Sequence, residues 1–281
     1  MTRKKIAYQG EPGANSHTAC MEACSDFEPL ACPTFEDCFA AVESAQAELA
    51  MIPLENSIAG RVADIHDLLP HASLSIIAEY FLPIRFHLMA LPGASLEALK
   101  TAESHVMGLN QCRKTLRRLK LKPIPTADTA GAARAISESN DRTRAALASS
   151  LASQIYSLKI LQEDCQDNAH NTTRFIILSA KEEHPAQTTP TITTFIFRVK
   201  NIPAALYKAL GSFASNGINM TKLESYMLDG QFSATMFYAD VEGHKDDATL
   251  QRAFEELRFF TDEFRILGVY PAHKFRYSPN T

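Results

Sequence analysis

The stretch Ile52-Pro53-Leu54-Glu55-Asn56-Ser57-Ile58-Ala59-Gly60 decides how the fold of this chain is interpreted. The apolar run from Leu49 to Pro53 is typical of a buried strand, and three polar side chains follow it before a glycine at which the backbone can turn. A carboxylate, an amide and a hydroxyl at the end of a buried strand lose hydration unless they bind something. In open α/β sheets this edge is where ligands lie. The stretch therefore indicates either a binding site at a strand end or an ordinary polar turn.

Length and composition indicate a globular protein of two or three structural units. The chain has 281 residues, of which 46% are hydrophobic and 21% charged, and a chain of this length can bury a large core. The net charge of −4 and the pI of about 6.1 argue against nucleic acid or a membrane surface as partner. Six basic residues at helical spacing indicate a solvated helix face: Arg113, Lys114, Arg117, Arg118, Lys120 and Lys122.

The N-terminal residues and the cysteines predict a cytoplasmic protein. The basic segment Met1–Lys5 is not followed by an apolar segment of signal-peptide length, and no run reaches the length of a membrane span. The cysteines show neither a CxxC pair nor a zinc spacing, and we expect them to be reduced thiols. They are Cys20, Cys24, Cys32, Cys38, Cys112 and Cys165. The nine histidines are scattered without an HExxH motif, so no metal site is expected.

Residues 4 to about 180 alternate short apolar strands with helical segments, which predicts an α/β domain with a mostly parallel sheet. Thr34 and Asp37 form a predicted capping pair for a helix that extends to Leu49. The strand-like segments are Lys5–Gln9, Leu49–Pro53, Leu74–Tyr80, Ile84–Ala90, Ser104–Met107, Pro123–Pro125, Ala145–Ala148 and Thr173–Leu178. Two such units that exchange strands would form a bilobed domain of residues 1–180 with a cleft, split near residue 80, the chain returning near residue 165.

Residues 181–191 are charged and contain prolines without hydrophobic periodicity, and we interpret them as a linker. The pattern after the linker is strand, helix, strand, strand, helix, strand over residues 192–275, with Asp229-Gly230 as a hairpin turn. This βαββαβ order is that of a ferredoxin-like unit. Because a complete hydrophobic pattern lies on each side of the linker, we expect few contacts to cross it.

Polar side chains recur where a predicted strand ends and a helix begins. They occur at Asn15-Ser16, Glu55-Asn56-Ser57, Ser104, Thr129, Ser149-Ser150 and Thr173-Arg174. Helix N-termini offer backbone N–H groups, and short hydroxyls beside them suit carboxylates or phosphates. Taken alone, Ser16, Thr129 and Ser149 are each better explained as helix N-caps, but caps do not explain so many polar groups at one sheet edge.

Known motifs exclude several classes of enzyme. The sequence contains no P-loop, no dinucleotide-binding glycine motif after a strand, no GxSxG and no kinase signature. Arg174 is the one strong cation at a strand start. A cleft rich in hydroxyl and amide donors suits a small dianion and the delivery of a proton to an oxygen leaving group. From the residues alone, the prediction goes no further.

The chain resembles the prephenate dehydratase family over residues 4 to 275. Five segments carry the resemblance in the family's order, namely Ala7–Ser16 for its glycine motif, Pro53–Ser57 for P-x-E-N-S, Thr129–Ala133 for T-x-x-A-A, Ala146–Ser149 for A-I-A-S and Thr173–Phe175 for T-R-F. Ser104–Met107 departs from the family's S-H-P-Q, while Gln111-Cys112 fits the following Q-C. The resemblance implies a periplasmic-binding-protein-like catalytic domain and, since no chorismate mutase segment precedes Lys4, the monofunctional form.

Residues 192–275 resemble an ACT regulatory domain, which in this family binds phenylalanine. Pro203–Leu206 matches P-G-A-L with Ala204 in place of glycine, and Asn219–Ser225 matches N-L-T-K-I-E-S. The arginine and proline that follow in the family are Tyr226 and Met227 here. The implied effector-binding residues are Ala204, Ala205, Leu206, Asn219, Glu224 and Ser225. ACT units commonly pair their sheets, so the resemblance implies a homodimer or homotetramer.

The resemblance also implies a reaction and roles for the site residues. Prephenate loses its ring hydroxyl and ring carboxylate together, and a donor must hydrogen-bond or protonate the departing oxygen. Family analogy makes Thr173 that donor, with a proton relayed through water from Glu55, and no cofactor. Asn56 and Gln111 are the other implied catalytic residues. The implied substrate-binding residues are Ser16, Ser57, Ser104, Thr129, Ser149 and Arg174.

Three alternatives stay open. Arg174 either binds the pyruvyl carboxylate or forms a structural salt bridge. A related enzyme acting on arogenate, the transaminated substrate, would need only small changes around Asn15 or Met107 to accept an ammonium group. A non-catalytic small-anion binding or sensor protein of the same fold would need a cleft but no proton donor, and would usually carry an export signal, so the sequence favours the enzyme.

Overall fold

The structure of the protein is a computed structural model that describes residues 3–228 and 231–278. The strands β1 to β15 span, in chain order, Lys5–Gln9, Glu28–Cys32, Leu49–Asn56, Gly60–Arg61, Ser75–Pro83, His87–Ala90, Thr101–His105, Lys122–Thr126, Arg144–Ala148, Lys159–Gln162, Thr172–Ser179, Thr191–Val199, Met220–Leu228, Gln231–Glu242 and Thr261–Pro271. The helices α1 to α9 span Asn15–Ala23, Phe35–Glu43, Ala63–Leu68, Val106–Gln111, Arg113–Arg118, Thr129–Ser137, Ser150–Ile155, Ala205–Ser215 and Ala248–Arg258. The chain divides into two compact units, one of residues 1–62 and 81–175 and the other of residues 63–80 and 176–281.

The first sheet of the first unit is built on the buried strand β1. This strand pairs in parallel with β2 on one side and with β3 on the other, and β11 lies beside β3. The predicted capping box of α2 is confirmed, since the Thr34 hydroxyl accepts from the Asp37 N–H and the Asp37 carboxylate accepts from the Thr34 N–H. The prediction that this helix reaches Leu49 is wrong. The helix ends at Glu43, and Ala45, with a φ of 58°, lies beyond its end on the way to β3.

The second sheet of the first unit has the strand order β10-β6-β9-β7-β8. Strands β7, β8 and β9 are parallel, whereas β6 runs antiparallel to β9 and β10 antiparallel to β6, so the predicted parallel arrangement is only partly correct. Helix α6 packs on this sheet through Ala132, Ala133 and Ile136, which share a buried cluster with Ala146 and Ala148 of β9. The sequence analysis missed β2 and β10, two short strands of which most side chains are exposed or only partly buried.

These two sheets make the first unit bilobed, as the periplasmic-binding-protein-like fold requires. The two segments that connect the lobes run side by side. The Ile84 N–H donates to the Asn171 carbonyl, and the Cys165 N–H donates to the Phe86 carbonyl, both at 2.7 Å. These hydrogen bonds tie together the segment that leaves the first lobe and the segment that returns to it.

The lobes also meet at the glycine loop that follows β1. Gly13 has a φ of 91°, and a Cβ atom placed on it would lie 2.8 Å from the Ala152 Cα in α7. The Ser149 hydroxyl donates to the Gly13 carbonyl at 2.6 Å, and the Tyr156 hydroxyl donates to the Pro12 carbonyl at 2.8 Å. A glycine is therefore required at this position for two reasons, its backbone conformation and the closeness of the opposite lobe.

The C-terminal part of the second unit has the predicted βαββαβ order, made by β12, α8, β13, β14, α9 and β15. Its strand order is β13-β14-β12-β15, which is that of a ferredoxin-like sheet. An aromatic core joins the helices to the sheet. The Phe195 ring of β12 lies 5.5 Å from the Phe213 ring of α8 and 5.2 Å from the Phe254 ring of α9, measured between ring centroids. The predicted turn at Asp229-Gly230 lies outside the described residues.

Residues 63–80 pack against this C-terminal part and belong to the same unit. The Arg265 guanidinium donates to the carbonyls of Pro70 and Ala72 at 2.8 and 2.6 Å. The Arg276 guanidinium binds the fully buried Glu79 carboxylate with two hydrogen bonds of 2.6 and 2.8 Å. Loss of one partner of such a buried pair typically costs about 3–5 kcal/mol. Contacts therefore do join sequence on the two sides of the linker, while the domain boundaries at 180 and 192 stay a prediction.

We expect Gly13→Ala to lower the free energy of unfolding clearly more than Gly93→Ala. Both glycines have a positive φ, which costs an alanine roughly 1–2 kcal/mol. At Gly93 the nearest atom to an added Cβ is the Arg142 Cζ at an ordinary 3.6 Å, whereas at Gly13 the Cβ would meet backbone at 2.8 Å. Urea unfolding of both variants measures the difference. Equal losses would contradict the close approach of the two lobes.

Candidate active site

The Asn56 side chain, at the end of β3, is held in one orientation by the backbone. Its Oδ1 accepts hydrogen bonds from the Ile58 N–H at 3.0 Å and from the Ala59 N–H at 2.8 Å. Two donors to the same oxygen identify it as the carbonyl side of the amide, so that the Nδ2 group must point the other way. Asn56 therefore faces the start of β11 as a donor.

The Asn56 Nδ2 donates to Thr173, the residue that the sequence analysis placed at the centre of the site. The distance from Nδ2 to the Thr173 Oγ1 is 2.9 Å, and the same group lies 2.8 Å from the Asn171 Oδ1 and 3.3 Å from the Thr172 carbonyl. Since the Thr173 oxygen accepts, its own hydrogen is available for another partner. None of the hydrogen bonds among the described residues uses the Thr173 hydroxyl as donor.

Asn171 extends this network to the second lobe. Its Nδ2 donates to the Gln111 Oε1 at 2.7 Å, and Gln111 is the last residue of α4. The structure thus brings Asn56, Thr173 and Gln111 together through a residue that the sequence analysis missed. Asn171 is 1% exposed. A single asparagine just before a strand carries no periodic or motif signal, which explains why sequence reasoning passed over it.

Glu55 and Arg174 form an ion pair between the neighbouring strands β3 and β11. The Arg174 Nη1 lies 3.0 Å from the Glu55 Oε1, and the guanidinium lies 6.0 Å from the centroid of the Phe81 ring. The Arg174 side chain is 4% exposed and that of Glu55 is 30% exposed. The salt bridge joins two strands of one lobe. Arg174 is therefore the buried member of the pair, and Glu55 is the member that solvent reaches.

Three serines predicted to bind substrate use their hydroxyls on backbone groups. The Ser57 hydroxyl donates to the His170 carbonyl at 3.1 Å and accepts from the Thr172 N–H at 3.0 Å. The Ser104 hydroxyl, fully buried, donates to the Leu147 carbonyl at 2.7 Å. Ser149 caps α7 and binds the glycine loop. Ser104 and Ser149 lie outside the network around Thr173, whereas Ser57 adjoins it, because its N–H donates to the same Thr172 carbonyl that accepts from the Asn56 Nδ2.

Ser16 and Thr129 also lie outside the network. They are the second residue of α1 and the first residue of α6, and their explanation as N-caps is wrong. The N-cap positions belong to Ala14 and to Asp128, whose Oδ1 accepts from the Gly131 N–H at 2.6 Å. The N-cap explanation is correct for Ser149 alone.

The glycine loop beside the site is held by a neutral histidine. The His17 Nδ1 accepts from the Gly13 N–H at 3.0 Å, and the His17 ring stacks on the Tyr8 ring with centroids 5.0 Å apart. Burial lowers the pKa of His17. The neutral ring is the form that has an acceptor nitrogen for the loop.

Two cavities lie away from the Thr173 network. One, of about 220 Å³, lies between α1, the connecting segment and the start of α7, and its lining includes Ser149. The other, of about 290 Å³, is lined by Val199, Lys200, Asn201, Ile202, Ala204, Ala205, Leu206, Tyr207 and Phe237.

Three of the predicted effector residues line the second cavity and three do not. Ala204 to Leu206 line it, and Ala204 has the left-handed φ of 62° that its glycine counterpart would adopt without strain. Asn219 donates to the Glu242 carboxylate at 3.0 Å, and Glu224 lies 3.8 Å from the Lys222 ammonium. Glu224 and Ser225 lie on β13, apart from the lining.

All six cysteines are free thiols, as predicted. Burial raises the pKa of the Cys165 thiol to about 11 and raises that of Cys112 further. Within residues 3–228 and 231–278, no three His, Cys, Asp or Glu side chains are placed to hold a metal ion. No helix in the same residues is long and apolar enough to span a membrane.

Comparisons with known proteins bear on this arrangement. A family model described as prephenate dehydratase matches residues 6–183. A bifunctional N-acyl-homoserine lactone acylase/prephenate dehydratase of Komagataeibacter europaeus is 47% identical over 278 residues, 98% of each chain. The chloroplastic arogenate dehydratase 3 of Arabidopsis thaliana is 38% identical over 99% of this chain and 69% of that protein. The prephenate dehydratase of Arthrobacter aurescens, solved in complex with L-Phe, superposes with a TM-score of 0.88 at 29% identity, covering 95% of this chain and 90% of that one.

The neutral state of His17 predicts how stability depends on pH. Its pKa lies below the usual 6.5 in the folded protein, so the unfolded state binds more protons between the two pKa values. The free energy of unfolding therefore falls as the pH drops below about 6.5. In His17→Asn this part of the slope should be absent.

Urea unfolding at a series of pH values measures the slope. His71→Asn is the control, because His71 is exposed and its replacement leaves the half-buried His17 ring in place. Equal slopes for the wild type and His17→Asn would contradict the neutral histidine.

Proposed function

The chain belongs to the prephenate dehydratase family, and we propose that it converts prephenate to phenylpyruvate, water and carbon dioxide. The observation that carries the proposal is the Thr173 hydroxyl, which Asn56 holds as an acceptor while its hydrogen stays available. In the reaction the ring C–O bond breaks, and the departing oxygen keeps the electron pair, takes up a proton and leaves as water. The bond to the ring carboxylate breaks as well, its electron pair enters the ring, and carbon dioxide leaves as the ring becomes aromatic.

Thr173 serves this reaction as a placed hydrogen-bond donor. A threonine hydroxyl is too weak an acid to be the proton source, but it stabilises the negative charge that develops on the departing oxygen. One such donor in a desolvated site is typically worth about 3 kcal/mol of barrier. Glu55, one residue before Asn56, is ionised against Arg174 and is reached by solvent, so its carboxylate serves to orient a solvent water through which the departing oxygen takes up its proton.

Gln111 and Arg174 have different parts in this proposal. The leaving carboxylate should not be paired strongly, because that would stabilise it before it is lost. The neutral amide of Gln111 meets this requirement at the edge of the cleft. Arg174, which is almost fully buried, positions the Glu55 carboxylate. Binding of substrate by Ser16, Ser57, Ser104, Thr129 and Ser149 stays a prediction.

Arogenate is the alternative substrate. The Arabidopsis relative is named an arogenate dehydratase and the Komagataeibacter relative a prephenate dehydratase, and both are similar over nearly all of this chain. We propose prephenate as the preferred substrate, since the relative of higher identity carries that name. Initial rates of the purified protein with prephenate and arogenate, measured side by side, decide between them.

Amide hydrolysis is a second candidate function. It rests on the 47% identity to the Komagataeibacter protein, which is named an N-acyl-homoserine lactone acylase as well. Water would add to the acyl carbon, the C–N bond would break, and the amine would leave with a proton. The raised pKa values of Cys112 and Cys165 make these thiols unsuited as nucleophiles. Release of fatty acid from an N-acyl-homoserine lactone tests this activity, and its survival in Thr173→Ala would place it at another site.

We propose further that residues 192–275 form an ACT domain that binds phenylalanine. The cavity of about 290 Å³ supports this, because the backbone N–H groups at the start of the 11-residue helix α8 suit a carboxylate. Val199 and Phe237 provide apolar walls for an aromatic ring. The Arthrobacter protein named above was solved with L-Phe.

We also propose that the protein forms an oligomer and is located in the cytoplasm. Strand β13 lies at the edge of its sheet and exposes Leu223 and Met227, which suits pairing with a second copy in a homodimer or homotetramer. Six free thiols suit a reducing compartment. Sedimentation of the purified protein gives the oligomeric state.

We expect Thr173→Ala to lower kcat by about 100-fold with a smaller change in KM, because the donor acts mainly in the transition state. Thr173→Ser keeps the hydroxyl and should keep much of the activity. Thr173→Val, which has the shape of threonine without the hydroxyl, is the matched control and should resemble the alanine variant. Steady-state rates with prephenate measure all three. Equal losses in the serine and valine variants would argue against a hydroxyl role.

We expect phenylalanine to bind the α8 cavity and to inhibit turnover. Ile202→Asp should abolish binding, because it puts a carboxylate on an exposed residue of the cavity lining beside the ligand's own carboxylate. Phe259→Asp is the matched control, since Phe259 is 72% exposed and lies outside the lining.

Calorimetric titration of the intact protein and both variants gives the answer. No heat with phenylalanine, but binding of tyrosine or another amino acid, would mean that the cavity serves a different effector.

A further inference from the structure

Backbone N–H groups fix which atoms of the Asn56 side chain donate and which accept. Two N–H groups, of Ile58 and Ala59, donate to the Asn56 Oδ1, and a backbone N–H can only donate. The amide of Asn56 therefore cannot be turned over without leaving two N–H groups opposite an NH2 group. This anchor fixes Nδ2 as the donor on the other side.

The donor and acceptor atoms of Asn171 are fixed in the same way. Its Oδ1 must accept, because it faces the Asn56 Nδ2 at 2.8 Å. Its Nδ2 must then donate, and the partner is the Gln111 Oε1 at 2.7 Å. Asn171 is 1% exposed, so bulk water cannot replace either partner. With Oε1 engaged as acceptor, the Nε2 hydrogens of Gln111 are left for another partner.

We propose that Asn171 is a positioning residue that makes Gln111 a hydrogen-bond donor at the same site where Asn56 makes Thr173 a donor. This inference rests on the proposed function, because two donors and no acceptor suit a dianionic substrate and a departing oxygen. A primary amide suits position 171, since it accepts with one atom and donates with the other. A carboxylate could accept from the Asn56 Nδ2 but has no hydrogen to donate to the Gln111 Oε1.

A purely structural role for Asn171 is served by a different atom. The backbone carbonyl of Asn171 accepts from the Ile84 N–H and ties the two connecting segments together, whatever the side chain is. A change of the side chain that keeps its shape therefore tests the direction of the hydrogen bonds separately from the link between the segments.

The test is the pH dependence of Asn171→Asp. When ionised, the new carboxylate accepts from Asn56 but cannot donate, so Gln111 must turn its amide over and present Oε1 to the substrate. We expect kcat/KM to fall roughly 10- to 100-fold near pH 8, the effect of a lost hydrogen bond to a charged group. As the pH falls toward about 5 the carboxyl takes up a proton, its O–H can donate to Gln111, and the ratio to wild-type activity should rise.

Asn168→Asp is the matched control. Asn168 is exposed, lies three residues earlier on the same segment, and gains the same charge. Its ratio to wild-type activity should stay near one at all pH values. The titratable or charged groups on the surrounding elements are present in every variant, and the control adds the same charge to the same segment, so a change in their titration should affect both variants. They are Glu55, Arg61, Arg113, Asp167, His170 and Arg174.

A pH-independent ratio for Asn171→Asp, or wild-type activity near pH 8, would overturn the proposal.

If the wild type dehydrates neither prephenate nor arogenate, the proposed function is wrong. The direction of the hydrogen bonds through Asn171 is then tested by unfolding measurements alone. Asn171→Asp and Gln111→Glu each leave one donor opposite one acceptor, so the loss of stability in each is that of one buried carboxyl group with its hydrogen bond kept. The double variant places two carboxylates face to face and should lose more than the sum of the single losses. Additive losses would overturn the proposal.

Discussion

Two backbone N–H groups on one amide oxygen fix the directions of the hydrogen bonds around Thr173. The Ile58 and Ala59 N–H groups fix Asn56, and Asn56 in turn decides that Thr173 accepts on its oxygen and keeps its hydrogen. The turn after β3 therefore also fixes which atoms of the Thr173, Asn171 and Gln111 side chains donate hydrogen bonds and which accept them. Such an arrangement needs no charged group at the departing oxygen, which suits a reaction that must also release a carboxylate.

Much of the fold could be predicted from the sequence, because its signals are local. The capping box at Thr34 and the βαββαβ order after residue 190 follow from neighbouring residues and from hydrophobic periodicity. Contacts between residues far apart in the sequence could not be predicted in this way. Asn171 becomes part of the site through Asn56, 115 residues earlier, and Gln111, 60 residues earlier. Residues 63–80 carry no sign that their partners lie near residue 270.

The same difference between local signals and distant contacts decides which site residues could be predicted. Glu55, Asn56 and Thr173 lie on adjacent strands, so their strand-end positions are enough to place them together. A serine at a strand end is ambiguous, because its hydroxyl bonds equally well to a ligand or to a nearby carbonyl. In Ser57 and Ser104 the carbonyls of His170 and Leu147 take that bond, and only the folded chain brings those carbonyls within reach.

The buried pair of Glu79 and Arg276 has a consequence for how the chain folds during synthesis. The two residues are 197 positions apart, and a ribosome that adds about 5–20 residues per second needs roughly 10–40 s to cover that distance. During this time β5 has left the ribosome while β15 and Arg276 have not yet been made. The apolar side chains of β5 therefore have no native partner on the β15 side until β15 has been made.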